Sequence, residues 1–380
     1  MIRVGFDYRI FFWQRFGGIS RYFAELTSEI TSSETDIDAR IIAPMYRNHY
    51  VRNFPKTRVI GFHAPFVAKE NKDGVIRYSW IGASINEYVS RCAFRLWKPD
   101  VVHETYYAFR PVSQAGCRTV LTVYDMITEL RPDDFAFSSS VTKDKEAALK
   151  RATHIICISE CTRNQLIEYF GVPREKTTVI YLGGSLPESG ESIPKEKNDE
   201  GRKFLLYVGN RDGYKNFKTL IKAYATSKIL VDELVLVAFG GGKFTSEELD
   251  TARGLNIGKN KLLHIEGGDQ ELRGLYSQAE ALVFPSICEG FGLPLVEAME
   301  YGCPVLCSDT SVMPEICGTA ADYFDPENYE SVREAIERLV SDPSRRKQRI
   351  IEGHRQAEKY SWGKCAKQTA ALYRDLYNRD

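Results

Sequence analysis

The 380-residue chain reads as an α/β protein made of two Rossmann-like halves, each built on a parallel sheet. Three observations predict this. Short apolar runs alternate with helical patterns along the chain, the mark of βαβ units. The length exceeds one ordinary core and fits two domains of usual size. Between the two series, Pro187–Arg202 is charged, has no apolar periodicity and reads as a surface linker. The expected division is residues 1–185, a linker at 186–203, a second domain at 204–360 and a closing segment at 361–380.

The first series opens with Ile2–Phe6 and continues with strands at Ala39–Ala43, Val59–Gly61, Val101–His103, Thr119–Tyr124, His154–Ser159 and Thr178–Tyr181. Helical patterns lie between them at Ile19–Ile30, Ser79–Leu96, Lys143–Arg151 and Ser159–Phe170. Phe204–Val208 opens the second series, followed by Glu233–Ala238, Leu262–Ile265, Ala281–Phe284, Val305–Ser308 and Asp322–Phe324. Trp362–Tyr377 is a last helical pattern after the second series ends. No tandem repeat is evident.

Composition excludes several classes. An apolar fraction of 43% and a charged fraction of 27% are ordinary for globular chains. Lys plus Arg equal Asp plus Glu at 51 each, so nothing global points to nucleic acid. The charge is uneven, with residues 1–185 about +5 and the remainder about −5. A basic first half suits an anionic membrane face or a phosphorylated acceptor, although such an excess is more often a solvated surface. Nine cysteines without CxxC pairs argue against a disulfide framework or a zinc site. Cys157/Cys161 and Cys303/Cys307 sit beside apolar residues and read as reduced packing cysteines. The first residues form a strand without signal-peptide layout, and no run approaches the ~18 apolar residues of a membrane span. A cytoplasmic protein, at most peripheral at the inner face of the membrane, is expected.

Chemistry concentrates between residues 285 and 304. Glu289 and Glu297 flank the turn Gly290-Phe291-Gly292-Leu293-Pro294, and Leu293–Met299 reads as a helix start. Glycines without Cβ let backbone N–H groups approach a ligand, and a helix N-terminus suits phosphate. Ionised carboxylates accept hydrogen bonds from hydroxyl-rich groups. The combination describes a nucleotide-sugar site. For a lone pair of glutamates eight apart, solvation is the ordinary outcome. The preceding strand Ala281–Phe284 shifts the balance, because it delivers Glu289 to a carboxyl strand end.

This segment resembles the nucleotide-sugar motif of the retaining GT-B glycosyltransferases of family 4 (glycosyl transferases group 1). The likeness extends through Ser308…Pro314-Glu315…Gly318…Phe324-Asp325-Pro326 and is sparser over 1–185. It implies two Rossmann-like domains facing across a cleft, an N-terminal acceptor domain, a C-terminal donor domain and a final helix crossing back to the first. Arg211 and Lys215, after Val208-Gly209, match the family's diphosphate-binding pair, a fork and a point charge suited to phosphate. Gly17 and Gly18 match the family's glycine loop, which faces the donor diphosphate and the acceptor, and Ser20 is placed to cap the helix that follows. Arg9 and Arg15 are candidates for the acceptor cleft. By the same resemblance, Gly240, first of three glycines after an apolar strand, is expected to border the nucleotide, and His264–Asp269 to lie around the base.

Glu289 is the candidate for the donor sugar and Glu297 for the ribose hydroxyls. Tyr124-Asp125 stands where many relatives carry His-Asp, so Asp125 either orients a substrate or caps the following turn. His103 ends the preceding strand before Tyr106-Tyr107 and is read as part of a cleft wall. No DxD pair ends a strand, and neither a metal nor another cofactor is expected. Variants such as Asn210-Arg211 and Tyr124-Asp125-Met126-Ile127 resemble bacterial mannosyltransferases. GDP-mannose is therefore the favoured donor, and a saccharide or lipid-linked saccharide of a cell-surface polysaccharide the expected acceptor. A UDP- or dTDP-sugar transferase, a phosphorylase-like or synthase relative, and a non-catalytic nucleotide-sugar-binding scaffold are the competing readings.

Overall fold

The computed structural model describes residues 1–70, 76–78, 80–114, 116–135, 137–184, 202–211 and 213–379. Within the expected linker, residues 186–201 lie outside the described residues, as does Ser79 of an expected helix. The chain divides into two compact units, Met1–Gly183 with Trp362–Asp380, and Gly184–Ser361.

In the first unit the strands are β1 (Ile2–Phe6), β2 (Ile37–Tyr46), β3 (Val59–His63), a small antiparallel pair β4 (Ala68–Glu70) and β5 (Ile76–Tyr78), β6 (Val101–Glu104), β7 (Arg118–Val123), β8 (His154–Cys157) and β9 (Thr177–Val179). Seven of them form one parallel sheet in the order β3-β2-β1-β6-β7-β8-β9. The central strands are buried on both faces and show no polar alternation; even the polar residues they contain, His103, Glu104 and His154, are buried. Helix Gly18–Ser33 turns Tyr22, Phe23, Leu26 and Ile30 onto this sheet. The last helix, Trp362–Asn378, packs against it and belongs to this unit through its buried Trp362, Cys365, Thr369 and Tyr373.

The second unit holds β10 (Phe204–Val208), β11 (Val235–Phe239), β12 (Leu262–Ile265), β13 (Ala281–Phe284), β14 (Val305–Ser308) and β15 (Ala321–Phe324). Their order is β12-β11-β10-β13-β14-β15, all parallel, the strand order of a dinucleotide-binding Rossmann sheet. Leu205, Tyr207, Leu236, Val283 and Leu306 form its core together with Phe217, Leu220 and Ile336 from the covering helices.

Differences from the sequence reading fall at short elements. Arg9–Trp13 and Ile127–Leu130 are helical, and Lys228–Glu233 is a helix that ends before β11 begins. Each is about one to two turns long, too short for an apolar period to register. Ser20 does not cap its helix. Gly17 holds the cap position, and the Gln14 side chain accepts the Ser20 N–H at 3.1 Å.

Candidate active site

In the second unit the chain reverses its winding between β10 and β13, and open α/β sheets bind ligands outside the carboxyl ends at such a point. The loops leaving these two strands are tied together. The Ile287 N–H donates to the Tyr214 carbonyl at 2.8 Å. Asn216, in the left-handed region at φ +56°, donates from Nδ2 to the carbonyls of Pro285 (3.2 Å) and Pro326 (2.7 Å). This frame presents Lys215 to Glu289, and Lys215 Nζ donates to Glu289 Oε1 at 2.6 Å. Their side chains retain 18% and 10% of their exposure, so the pair is largely desolvated yet open on one side.

Glu289 is also held from the neighbouring strand end. Ser311 Oγ accepts the Glu289 N–H at 3.2 Å and donates to its carbonyl at 3.1 Å, while Thr310 Oγ1 donates to the Ile287 carbonyl at 3.1 Å. Neither residue was reached by sequence reasoning. Two small hydroxyl residues after a strand carry no distinctive spacing. Gly292, at φ +84°, starts helix Leu293–Glu300, which has Pro294 in its first turn and no side-chain cap. That leaves a helix N-terminus, with its N–H donors and positive dipole end, beside the ion pair. Gly290 is buried and Leu293 half-buried. The Phe291 ring is buried edge-on to Tyr360 at 5.6 Å, so this residue offers a ligand its main chain only. Glu297 lies one turn into the helix, 3% exposed, and accepts from Tyr276 Oη at 2.9 Å.

Arg211 is placed differently from the expected phosphate fork. Its side chain is 3% exposed and its donors are engaged by the protein. Nε meets Glu248 Oε1 at 2.6 Å, and the two terminal nitrogens donate to the carbonyls of Gly240 (2.8 Å), Gly242 (2.9 Å) and Lys243 (3.0 Å). The guanidinium also stacks on Phe244, 4.8 Å from the ring centroid. Burial alone would raise the Glu248 carboxyl, but the Arg211 hydrogen bonds hold it below its ordinary value. Arg211 is thus the strut under the Gly240–Gly242 turn, where all three glycines have positive φ and a Cβ at Gly241 would come 2.9 Å from Arg211 Nη1. Gly209 is half-buried beside this turn, and His264 Nε2 lies 3.2 Å from the Gly240 carbonyl.

The corresponding reversal in the first unit lies between β1 and β6, and buried ion pairs fill it. Arg9 Nη1 meets Asp7 Oδ2 at 2.5 Å, Thr105 Oγ1 donates to Asp7 Oδ1 at 2.5 Å, and Arg9 Nη2 donates to the Arg110 carbonyl at 2.6 Å. Arg9 is therefore a structural cation, whereas Arg15 is exposed. Glu104, fully buried, is held by Arg151 at 2.6 Å. Gly17 is half-buried and Gly18 exposed. Asp125 is half-buried, and its Oδ1 accepts the Ile127 N–H at 3.1 Å, a local side-chain turn just before helix Ile127–Leu130, whose cap position is held by Met126.

His103 does not line an open wall. It is fully buried, with Nδ1 2.6 Å from Tyr373 Oη and Nε2 2.7 Å from Thr122 Oγ1, and it ties the last helix to β6 and β7. Burial pushes its pKa down to about 3. The folded imidazole stays neutral where an unfolded one protonates near pH 6.5, so its contribution is complete above that pH and is lost on acidification towards 3. Between pH 6.5 and 4.5 the expected loss is about 2–3 kcal/mol. Urea-unfolding midpoints across that range should show the slope, and His103→Gln should flatten it. An identical slope in the variant would rule His103 out as its source.

The family of the chain follows from its likeness to known proteins. The model for glycosyl transferases group 1 matches residues 188–356, and that for Glycosyltransferase Family 4 matches residues 16–184. The chain belongs to the family 4 glycosyltransferases. It is similar to the O-antigen chain mannosyltransferase B of Escherichia coli, 29% identical over 272 residues that span 68% of this chain and 71% of that protein. It is also similar to the O-antigen chain mannosyltransferase RfbU of Salmonella typhimurium, 31% identical over 59% of this chain and 61% of that protein. Sucrose-phosphate synthase from Thermosynechococcus elongatus shares the fold of this glycosyltransferase, with a TM-score of 0.76 at 17% identity over 99% of both chains. The glycosyltransferase thus has the GT-B architecture, two Rossmann-like units of parallel sheet.

Proposed function

We propose that this glycosyltransferase moves a mannosyl group from GDP-mannose to a saccharide or lipid-linked saccharide acceptor of a cell-surface polysaccharide, with retention at the anomeric carbon. The observation that carries the reading is the Lys215–Glu289 pair, 2.6 Å apart at the strand reversal of the second unit. The mannosyl donor is supported by the two O-antigen mannosyltransferases that the chain resembles.

In this reading the donor diphosphate takes the Lys215 ammonium from Glu289 and lies against the N-terminus of helix Leu293–Glu300. Glu289, released, accepts hydrogen bonds from the sugar hydroxyls, and Glu297 accepts those of the ribose. The bond from the anomeric carbon to the phosphate oxygen breaks, and the acceptor hydroxyl bonds to that carbon on the same face. The departing phosphate takes the acceptor proton. Side-chain and helix charges stabilise the developing diphosphate, and no metal cofactor is needed. Asp125 and the Gly17–Gly18 turn are assigned to the acceptor side. The protein works in the cytoplasm, with peripheral contact at the inner face of the membrane.

Glu297→Ala is expected to weaken nucleoside diphosphate binding by about tenfold, the scale of one charge-assisted hydrogen bond, with little effect on turnover at saturation. Isothermal titration with GDP would check this, and unchanged affinity would remove Glu297 from the ribose site. The reading as a whole is tested by thermal shift with EDTA present, using GDP-mannose, UDP-glucose, UDP-N-acetylglucosamine, dTDP-rhamnose and the free diphosphates. A ligand at 100 times its Kd stabilises by about 2.7 kcal/mol. GDP-mannose and GDP should shift the transition in chelator. A shift by a UDP- or dTDP-sugar alone would replace the donor, and binding without hydrolysis or transfer would favour a scaffold.

A further inference from the structure

Helix Trp80–Trp97 in the first unit is amphipathic in the reverse of the usual sense. The residues it buries are Gly82, Asn86, Ser90 and Phe94, spaced by four along one face. The opposite face carries Ile81 (52% exposed), Ile85 (45%), Tyr88 (72%), Val89 (41%) and Leu96 (85%), at helical spacing and flanked by Trp80 (77%). An ordinary surface helix would rotate to bury these side chains. Here Asn86 prevents it. Its side-chain oxygen accepts the Met45 N–H at 2.7 Å and its Nδ2 donates to the Met45 carbonyl at 3.0 Å, which pins the polar face to β2. Edge strand β3 adds apolar surface one strand away, because Met45 pairs with Phe62, which is 55% exposed.

Charge decides what covers this face. Arg95 and Lys98 are exposed at the end of the stripe. The unit as a whole carries 29 Lys/Arg against 22 Asp/Glu, about +7, while the second unit carries 22 against 29. A second copy docked through the same face would bring two like-charged units together. An anionic lipid surface supplies both an apolar layer and the opposite charge. Trp80, at one end of the stripe, suits the headgroup region. Among the described residues no helix is long and apolar enough to cross a membrane.

We propose that helix Trp80–Trp97 lies in the surface of an anionic bilayer and seats the first unit there. This rests on the peripheral membrane contact proposed above and names the element that makes it. Such docking would hold the enzyme where a lipid-linked acceptor is presented.

The test is co-sedimentation of the full chain with vesicles of phosphatidylglycerol and phosphatidylcholine, alongside tryptophan fluorescence. Binding to the anionic vesicles, lost with rising salt, is expected together with a blue shift that Trp80→Phe abolishes. The double variant Ile85→Ser/Val89→Ser should bind at least tenfold more weakly, since each apolar side chain withdrawn from lipid costs a factor of several. Both changes are on the exposed face, and GDP-mannose binding should be unaffected, so loss of docking is separable from failure of the functional reading. Absence of vesicle binding, equal binding by the double variant, or a blue shift that survives Trp80→Phe would each overturn the proposal. So would a dimer that the double variant disperses, which would make the face a contact between copies.

Discussion

Replacing Lys215 by alanine is expected to lower turnover by about 10²–10³-fold, the range for one preorganised electrostatic group, and to leave the fold intact. Lys215 is not in the core of the unit. It ends a short 3-10 turn, Gly213–Lys215, and its side chain is 18% exposed. Its partner Glu289 would lose a charge-assisted bond of 2.6 Å but keep its main-chain clamp to Ser311. In the proposed reaction the cation is needed most when the leaving diphosphate gains charge, so the loss belongs in turnover more than in donor affinity. Lys215→Arg is expected to recover only part of it, because the planar fork cannot occupy the ammonium's position between Glu289 and a phosphate. Steady-state kinetics with saturating donor decide the matter, and rates near the parent's would sink the diphosphate assignment.

The largest expected effect on stability is at Lys145. Its ammonium is buried in the first unit, 2.5 Å from Glu129 Oε2 and 3.0 Å from the Asp125 carbonyl, and 4.9 Å from the Tyr107 ring centroid. Glu129 is completed by Thr142 Oγ1 at 3.0 Å. Lys145→Ala leaves the Glu129 charge buried without compensation, a loss of about 3–5 kcal/mol. That is a large part of the total stability of an ordinary domain. Lys145→Met combined with Glu129→Leu removes both charges at similar volume and should recover most of the loss. Urea-unfolding midpoints of the three proteins are the comparison. A single variant as stable as the parent would show that the pair is not desolvated as described. The pair also holds the backbone at Asp125, so with Asp125 on the acceptor side as proposed, the double variant should alter acceptor KM before it alters donor binding.

The strands and the two-unit plan were legible because they depend on local composition. Runs such as Leu205–Val208 or Ala281–Phe284 are apolar at every position, since parallel strands covered on both faces have no polar side to show. The loop from Glu289 to Leu293 was legible for a related reason. Glycines, a proline and a carboxylate next to a strand end constrain one another within a few residues. Gly292 does adopt a positive φ, and the helix does begin there.

What could not be read is which partner each charged side chain takes. Arg211 and Lys215 lie four residues apart, yet one braces the Gly240–Gly242 turn through Glu248 and three carbonyls while the other meets Glu289. His103 and Arg9 look like site residues in sequence, but Tyr373 and Asp7 claim them. The Trp80–Trp97 helix was visible, but the direction of its apolar stripe was not, because that hangs on one amide bonded to Met45, 41 residues away. Backbone class follows from short-range sterics and apolar period, which neighbouring residues carry among themselves. Apart from Arg9 and Asp7, which are two residues apart, these ion pairs and buried hydrogen bonds join residues tens to hundreds apart, and spacing in sequence says little about which partner folding will set beside a charge.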